Sequence, residues 1–144
     1  LDLQETLVQN TEADIAEVIK LIGKKPKKIC VYTAPKWKHE LYTRAVSNKK
    51  EAGKMIGEVM KDEKYKKLGK DCVNYCQALV KRIGKLSETT LPPEDELEVL
   101  KDAHDFLVKA FECEVKIESA DKPTYDPQGK SRNADVLKPA IYLE

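Results

Sequence analysis

Three groups of residues in this 144-residue chain have chemistry to offer beyond folding. The first is Cys72 and Cys76, one helical turn apart, with Cys30 and Cys113 elsewhere. A structural zinc site needs four ligands, usually as close pairs about two to four residues apart. Such a pairing occurs once here, so the cysteines are expected to be reduced, buried thiols, with no metal. The second is His39 and His104, the latter followed by Asp105. A metal phosphohydrolase would require several further His and Asp ligands, and no serine stands in a nucleophile-elbow context. Gly53 and Gly57 fall inside a helical pattern rather than a strand-to-helix turn, so a phosphate cradle is unsupported. No catalytic residue and no cofactor are assigned to this segment.

The third group is lysine. Lys24, Lys25, Lys27 and Lys28 precede the apolar run "ICVYT", and Lys36 and Lys38 flank Trp37 just after it. Lys49, Lys50, Lys61, Lys64, Lys66, Lys67 and Lys70 follow. Residues 24–85 hold 18 Lys/Arg against 6 Asp/Glu, a net of +12, while residues 86–121 hold 3 against 11, a net of −8. The overall formal charge of +1 hides this segregation. A basic middle between acidic flanks suits a polyanion on one face, since phosphate contacts supply most sequence-independent nucleic-acid affinity. Solvated lysine-rich helix faces are the plainer alternative. Trp37 can stack on a base, but its i, i+4 relation to Leu41 fits a packed anchor better.

These residues need elements to hold them. Ile15, Val18, Ile19 and Ile22 make a helical stripe in residues 10–23, with Asn10 or Thr11 as cap and Gly23 as stop. "KICVYT" has the β-branched and aromatic character of a central strand. Pro35 suits the first turn of a helix that starts near Lys36. A helix over residues 47–62 takes Ser47 or Asn48 as cap and turns Met55, Ile56, Val59 and Met60 inward. Another over residues 70–86 buries Cys72, Cys76, Leu79, Val80 and Ile83. A fourth over residues 94–111 opens on prolines and acids and carries Leu97, Leu100, Ala103 and Leu107. "CEVKIES" alternates as a one-sided strand, residues 120–138 form a loop, and "PAIYLE" closes as a short strand. The expected fold is α/β: one small domain, a short sheet of about three strands covered by four to five helices. No apolar run approaches the roughly 18 residues of a membrane helix, and no secretory signal opens the chain, so a cytoplasmic location is expected. The start at Leu1-Asp2-Leu3, without an initiator methionine, reads as a piece of a longer protein.

Three stretches resemble one family. "KKICVYTAPKWKHELY", "AHDFLVKAFECEVKIE" and above all the terminal "DPQGKSRNADVLKPAIYLE" are similar to the end of archaeal leucyl-tRNA synthetases, and the likeness runs from about Ile15 to Glu144. The resemblance implies that residues 1–23 are the helical end of, or link from, the anticodon-binding region, and that residues 24–144 are the C-terminal α/β tRNA-binding domain. The whole enzyme would be an ATP- and magnesium-dependent leucine–tRNA ligase. This segment lacks that family's "HIGH" and "KMSKS" signatures and any stretch long enough for an editing domain. The family's last domain reaches the long variable arm of leucine tRNA, partly through main-chain groups of the final strand. On this sequence that implies Lys138, Pro139, Ala140, Ile141 and Glu144. Lys27, Lys28, Lys36 and Lys38 are the candidates for backbone phosphate contacts, and the rest of the synthetase chain is the expected intramolecular partner. The alternative is a protein-interaction module of a larger intracellular protein, in which the acidic helix over residues 94–111 matters more than the lysines.

Overall fold

The computed structural model describes residues 2–47 and 52–144. The chain forms two compact units: Leu1–Lys36 with Thr90–Glu144, and Trp37–Thr89. Among the described residues there are seven α-helical segments and one three-stranded sheet. The α/β class and the short sheet are as expected. The helices are more numerous because one expected helix is divided and a short one was not anticipated.

The sheet unit opens with α1 (Leu3–Ile22). The expected cap at Asn10 or Thr11 is corrected by the structure. Asp2 caps the helix, its side chain accepting from the Glu5 N–H at 2.8 Å, and Thr11 is a core residue whose hydroxyl donates to the Leu7 carbonyl. Gly23 ends the helix at φ 73, a left-handed conformation glycine adopts without steric cost, and donates its N–H to Ile19 O.

Strand β1 (Lys28–Thr33) is central, with order β2-β1-β3. It pairs in parallel with β2 (Glu114–Ser119) and antiparallel with β3 (Ala140–Leu143). Five of its six residues are buried, which is why it reads as an unbroken apolar run rather than an alternating one. Leu7 and Ile15 of α1 join Ile29, Val31, Val115 and Ile117 in one core, so the first helix folds with the sheet. Each fully buried aliphatic side chain there contributes about 1.5–3 kcal/mol.

Between β1 and β2 in this unit lie α6 (Pro93–Asp102) and α7 (His104–Phe111), which bury Leu100 and Leu107 in the same core. The sequence predicts one continuous helix here. Instead Ala103 sits at φ −87, ψ 3, its N–H shared between Val99 O and Leu100 O. The restart places His104 so that its Nε2 lies 2.9 Å from the Val115 carbonyl on β2. A side chain satisfying a strand carbonyl is a reason for the break that helical periodicity does not reveal.

Helix α2 (Lys36–Ser47) starts at Lys36 as predicted, just after buried Pro35, and from Trp37 on it belongs to the second unit. It is followed by α3 (Ala52–Val59), α4 (Glu63–Lys66) and α5 (Lys70–Lys81). Ser47, one of two expected caps of the next helix, is the last residue of α2; Asn48, the other, lies outside the described residues, as do Lys49 and Lys50. Met55 and Val59 are buried, as are Cys72, Cys76 and Leu79, while Ile56, Met60, Val80 and Ile83 are half-buried. The unanticipated α4 is capped by Asp62 and buries Tyr65, whose hydroxyl donates to Glu40 at 2.7 Å.

Candidate nucleic-acid interface

The terminal motif becomes an edge strand. Glu144 donates its N–H to Lys28 O and accepts from the N–H groups of Lys28 and Lys27 at 3.3 and 2.7 Å. That fixes Cys30–Tyr142 and Tyr32–Ala140 as the hydrogen-bonded pairs of the ladder. By the same alternation the N–H and C=O of Ile141 and Leu143 point away from β1. Among the described residues no hydrogen bond reaches them. β3 therefore offers donor and acceptor pairs two residues apart along an open edge.

Lysines stand at both ends of this edge. Lys27 and Lys28 lie beside Glu144, and Lys138 precedes the strand at the other end. Lys138 is exposed, but its main chain is taken: it exchanges hydrogen bonds with Asp135 at 2.9 and 3.0 Å, closing a turn in which Leu137 has φ 60. It reaches outward by its ammonium alone. Pro139 and Ala140 are buried and carry the chain from the turn into the sheet. Ile141 is half-buried and packs its side chain on the core, leaving only its main chain for the edge.

Tyr125 organises the face of the sheet opposite that core, and sequence reading missed it. Its ring has Lys28 Nζ 4.1 Å from the centroid and Lys116 Nζ at 5.8 Å. Its carbonyl accepts from the Tyr32 hydroxyl, and its own hydroxyl donates to the Glu144 carboxylate. That last bond, first among several causes, pushes the Tyr125 phenol up to about 12. Burial, with smaller effects of nearby Cys30 and Asp126, pushes the Tyr32 phenol well above its ordinary value. Glu144 is thus held by main chain and side chain alike, and acts as the clasp of β3 rather than as a free carboxylate. An aromatic residue between two prolines in an otherwise polar loop, Pro123-Thr-Tyr125-Asp-Pro127, was the available signal.

Of the other two predicted lysines, Lys36 is not brought to this edge. Lys36 lies on the β2 side of the sheet, its N–H bonded to the Asp121 carboxylate at 3.1 and 3.2 Å. Lys38 belongs to the second unit, is only 7% exposed, and sets its Nζ 5.5 Å from the Trp37 ring and 5.2 Å from that of Tyr75. Trp37 meets Tyr75 edge-on at 5.6 Å, the packed anchor that its spacing suggested. In that unit Lys61, Lys66, Lys67 and Lys70 are exposed, whereas Lys64 pairs with Glu40 at 2.7 Å. Burial raises the pKa of all four cysteine thiols, and among the described residues no three His, Cys, Asp or Glu side chains gather as a metal-ligating cluster. Nor is any described helix long and apolar enough to cross a membrane.

Fold and site together define a small α/β module with an open, lysine-flanked terminal strand. No protein-family profile matches the chain. It is similar to leucine–tRNA ligases from Methanothermobacter thermautotrophicus (37% identity over 145 residues), Methanosarcina mazei (39% over 152) and Pyrococcus abyssi (34% over 145). These matches cover 99–100% of this chain but only 14–16% of each relative. By sequence the chain belongs with the C-terminal region of archaeal leucine–tRNA ligases.

Proposed function

We propose that this chain is the tRNA-holding segment of a leucine–tRNA ligase, contacting the long variable arm of leucine tRNA in support of aminoacylation carried out elsewhere in the enzyme. The observation that carries the reading is the open edge of β3, with the free main-chain groups of Ile141 and Leu143 between Lys27 and Lys28 at one end and Lys138 at the other. Unstacked loop bases present Watson–Crick edges whose donors and acceptors such groups can meet, while the ammonium groups take the adjoining phosphates. The exposed lysines of the second unit add attraction that is blind to sequence. In this reading ATP and magnesium serve the catalytic part of the enzyme and no residue of this segment touches them.

Removing residues 138–144 from the full-length enzyme tests the reading. The KM for leucine tRNA should rise while activation of the amino acid stays intact. Unchanged charging after the deletion would contradict it.

A further inference from the structure

The opposite edge of the sheet is also open, and for part of its length only. Glu114 donates its N–H to Lys27, just before β1, and Ala120 to Thr33 of β1, so the main-chain groups of Val115, Ile117 and Ser119 point outward. His104 takes the Val115 carbonyl. From Ile117 onward no hydrogen bond reaches these outward backbone groups among the described residues. Ile117 and Ser119 line a groove of about 750 Å³ together with Leu97 and Lys101 of α6, Lys36 and Lys122.

Four lysines (Lys36, Lys101, Lys116 and Lys122) face three carboxylates (Glu94, Glu118 and Asp121) in the lining, a net of +1, and two of the carboxylates are held by neighbouring groups. Glu118 is occupied by Thr124 and the Tyr125 N–H, and Asp121 by the Lys36 N–H and Ser119. Lys116 leans toward Glu118 at 3.9 Å. The ammonium groups of Lys36, Lys101 and Lys122 have no ion-pair partner among the described residues, and Glu94 is the one remaining lining carboxylate.

We propose that the β2 edge is a second binding site, which takes a short extended acidic peptide as an added strand. The outward N–H and C=O groups of Ile117 and Ser119 match the two-residue repeat of a peptide backbone, and the three lysines match carboxylates on alternate side chains. A nucleic acid would use the lysines and could meet single main-chain groups through its base edges, but a peptide backbone alone pairs in register with successive outward groups of a strand. The His104 contact closes the edge toward Val115 and so sets the register at which an added strand begins. This site is independent of the β3 edge, on the other side of β1.

The test uses the full-length protein, with hydrogen–deuterium exchange read over residues 114–122. Three probes are compared: a blocked heptapeptide alternating glutamate with valine, the same peptide with lysine for glutamate, and heptauridylate. The acidic peptide should slow exchange in that stretch and the basic one should not. Lys101→Glu with Lys122→Glu, both at exposed positions, should weaken the acidic peptide at least about tenfold. Protection by heptauridylate instead of the acidic peptide, no protection by any probe, or undiminished peptide binding by the charge-reversed variant would overturn the proposal.

Discussion

The Glu96 carboxylate, fully buried on α6, accepts a hydrogen bond from the backbone N–H of Leu137 at 3.3 Å. This ties a core helix to the turn that launches β3, at the one residue of that turn held at positive φ. Glu96→Ala should therefore cost about 1–3 kcal/mol in urea unfolding, because it strands a partly buried donor. Amide exchange over residues 140–143 should rise with it. Glu96→Gln, which keeps an acceptor, should lose less. An alanine variant as stable as the parent would show that the contact does not hold the strand.

Thr33 ends β1 with its side chain on the core side and is 1% exposed, yet its hydroxyl has no hydrogen-bond partner among the described residues. Thr33→Val keeps the shape and removes a desolvated polar atom, so it should raise stability by about 1 kcal/mol. Thermal or urea unfolding that places the valine variant clearly below the parent would imply a partner for that hydroxyl.

Glu118 has its carboxyl pushed up by burial, but hydrogen bonds from the Thr124 hydroxyl, the Thr124 N–H and the Tyr125 N–H outweigh this and hold it below the ordinary value of 4.5. A lowered folded pKa adds stability that is full above the unfolded value and is lost as pH falls through the folded one. Stability should therefore decline on acidification below about pH 4.5, and Glu118→Gln should flatten part of that decline while lowering stability at neutral pH. Parallel acid limbs for parent and variant would contradict this.

Burial, with a smaller effect of Cys72, pushes the Cys76 thiol up to about 12, and burial raises Cys30, Cys72 and Cys113 as well. Thiolate is the reactive form, so labelling by a thiol reagent at about pH 8 should be slow for all four in the folded protein. Half-buried Cys113 should label first. A fast-reacting thiol at Cys72 or Cys76 would indicate that the second unit opens.

Much of this arrangement was legible in the residues. The apolar run of β1, flanked by Pro26 and Pro35, placed a central strand, and Gly23 marked a helix end, because those outcomes depend on local conformation and on burial of both faces. The terminal "KPAIYLE" gave a strand and the family resemblance together. What failed was long-range. Thr11 looked like a cap because the isoleucine stripe began after it, although Asp2 and Glu5 already had capping spacing. Ala103 looked like mid-helix because its break answers to a carbonyl on another strand. Lys38 looked solvated because nothing local shows that Tyr75, far along the chain, joins neighbouring Trp37 beside its ammonium. Tyr125 and Glu96 were passed over for the same reason: their partners lie 19 and 41 residues away.

The central claim is that the β3 edge reads the variable arm while lysines elsewhere attract phosphates. Titrating the full-length enzyme with leucine tRNA and with the same tRNA lacking its long arm, across a series of salt concentrations, tests it most directly. The account predicts tighter binding of the intact tRNA and loss of that preference on deleting residues 138–144. Replacing exposed lysines of the second unit should weaken both tRNAs alike and reduce the salt slope by about one per lost contact. Equal affinity for the two tRNAs in the parent enzyme would contradict the role given to β3.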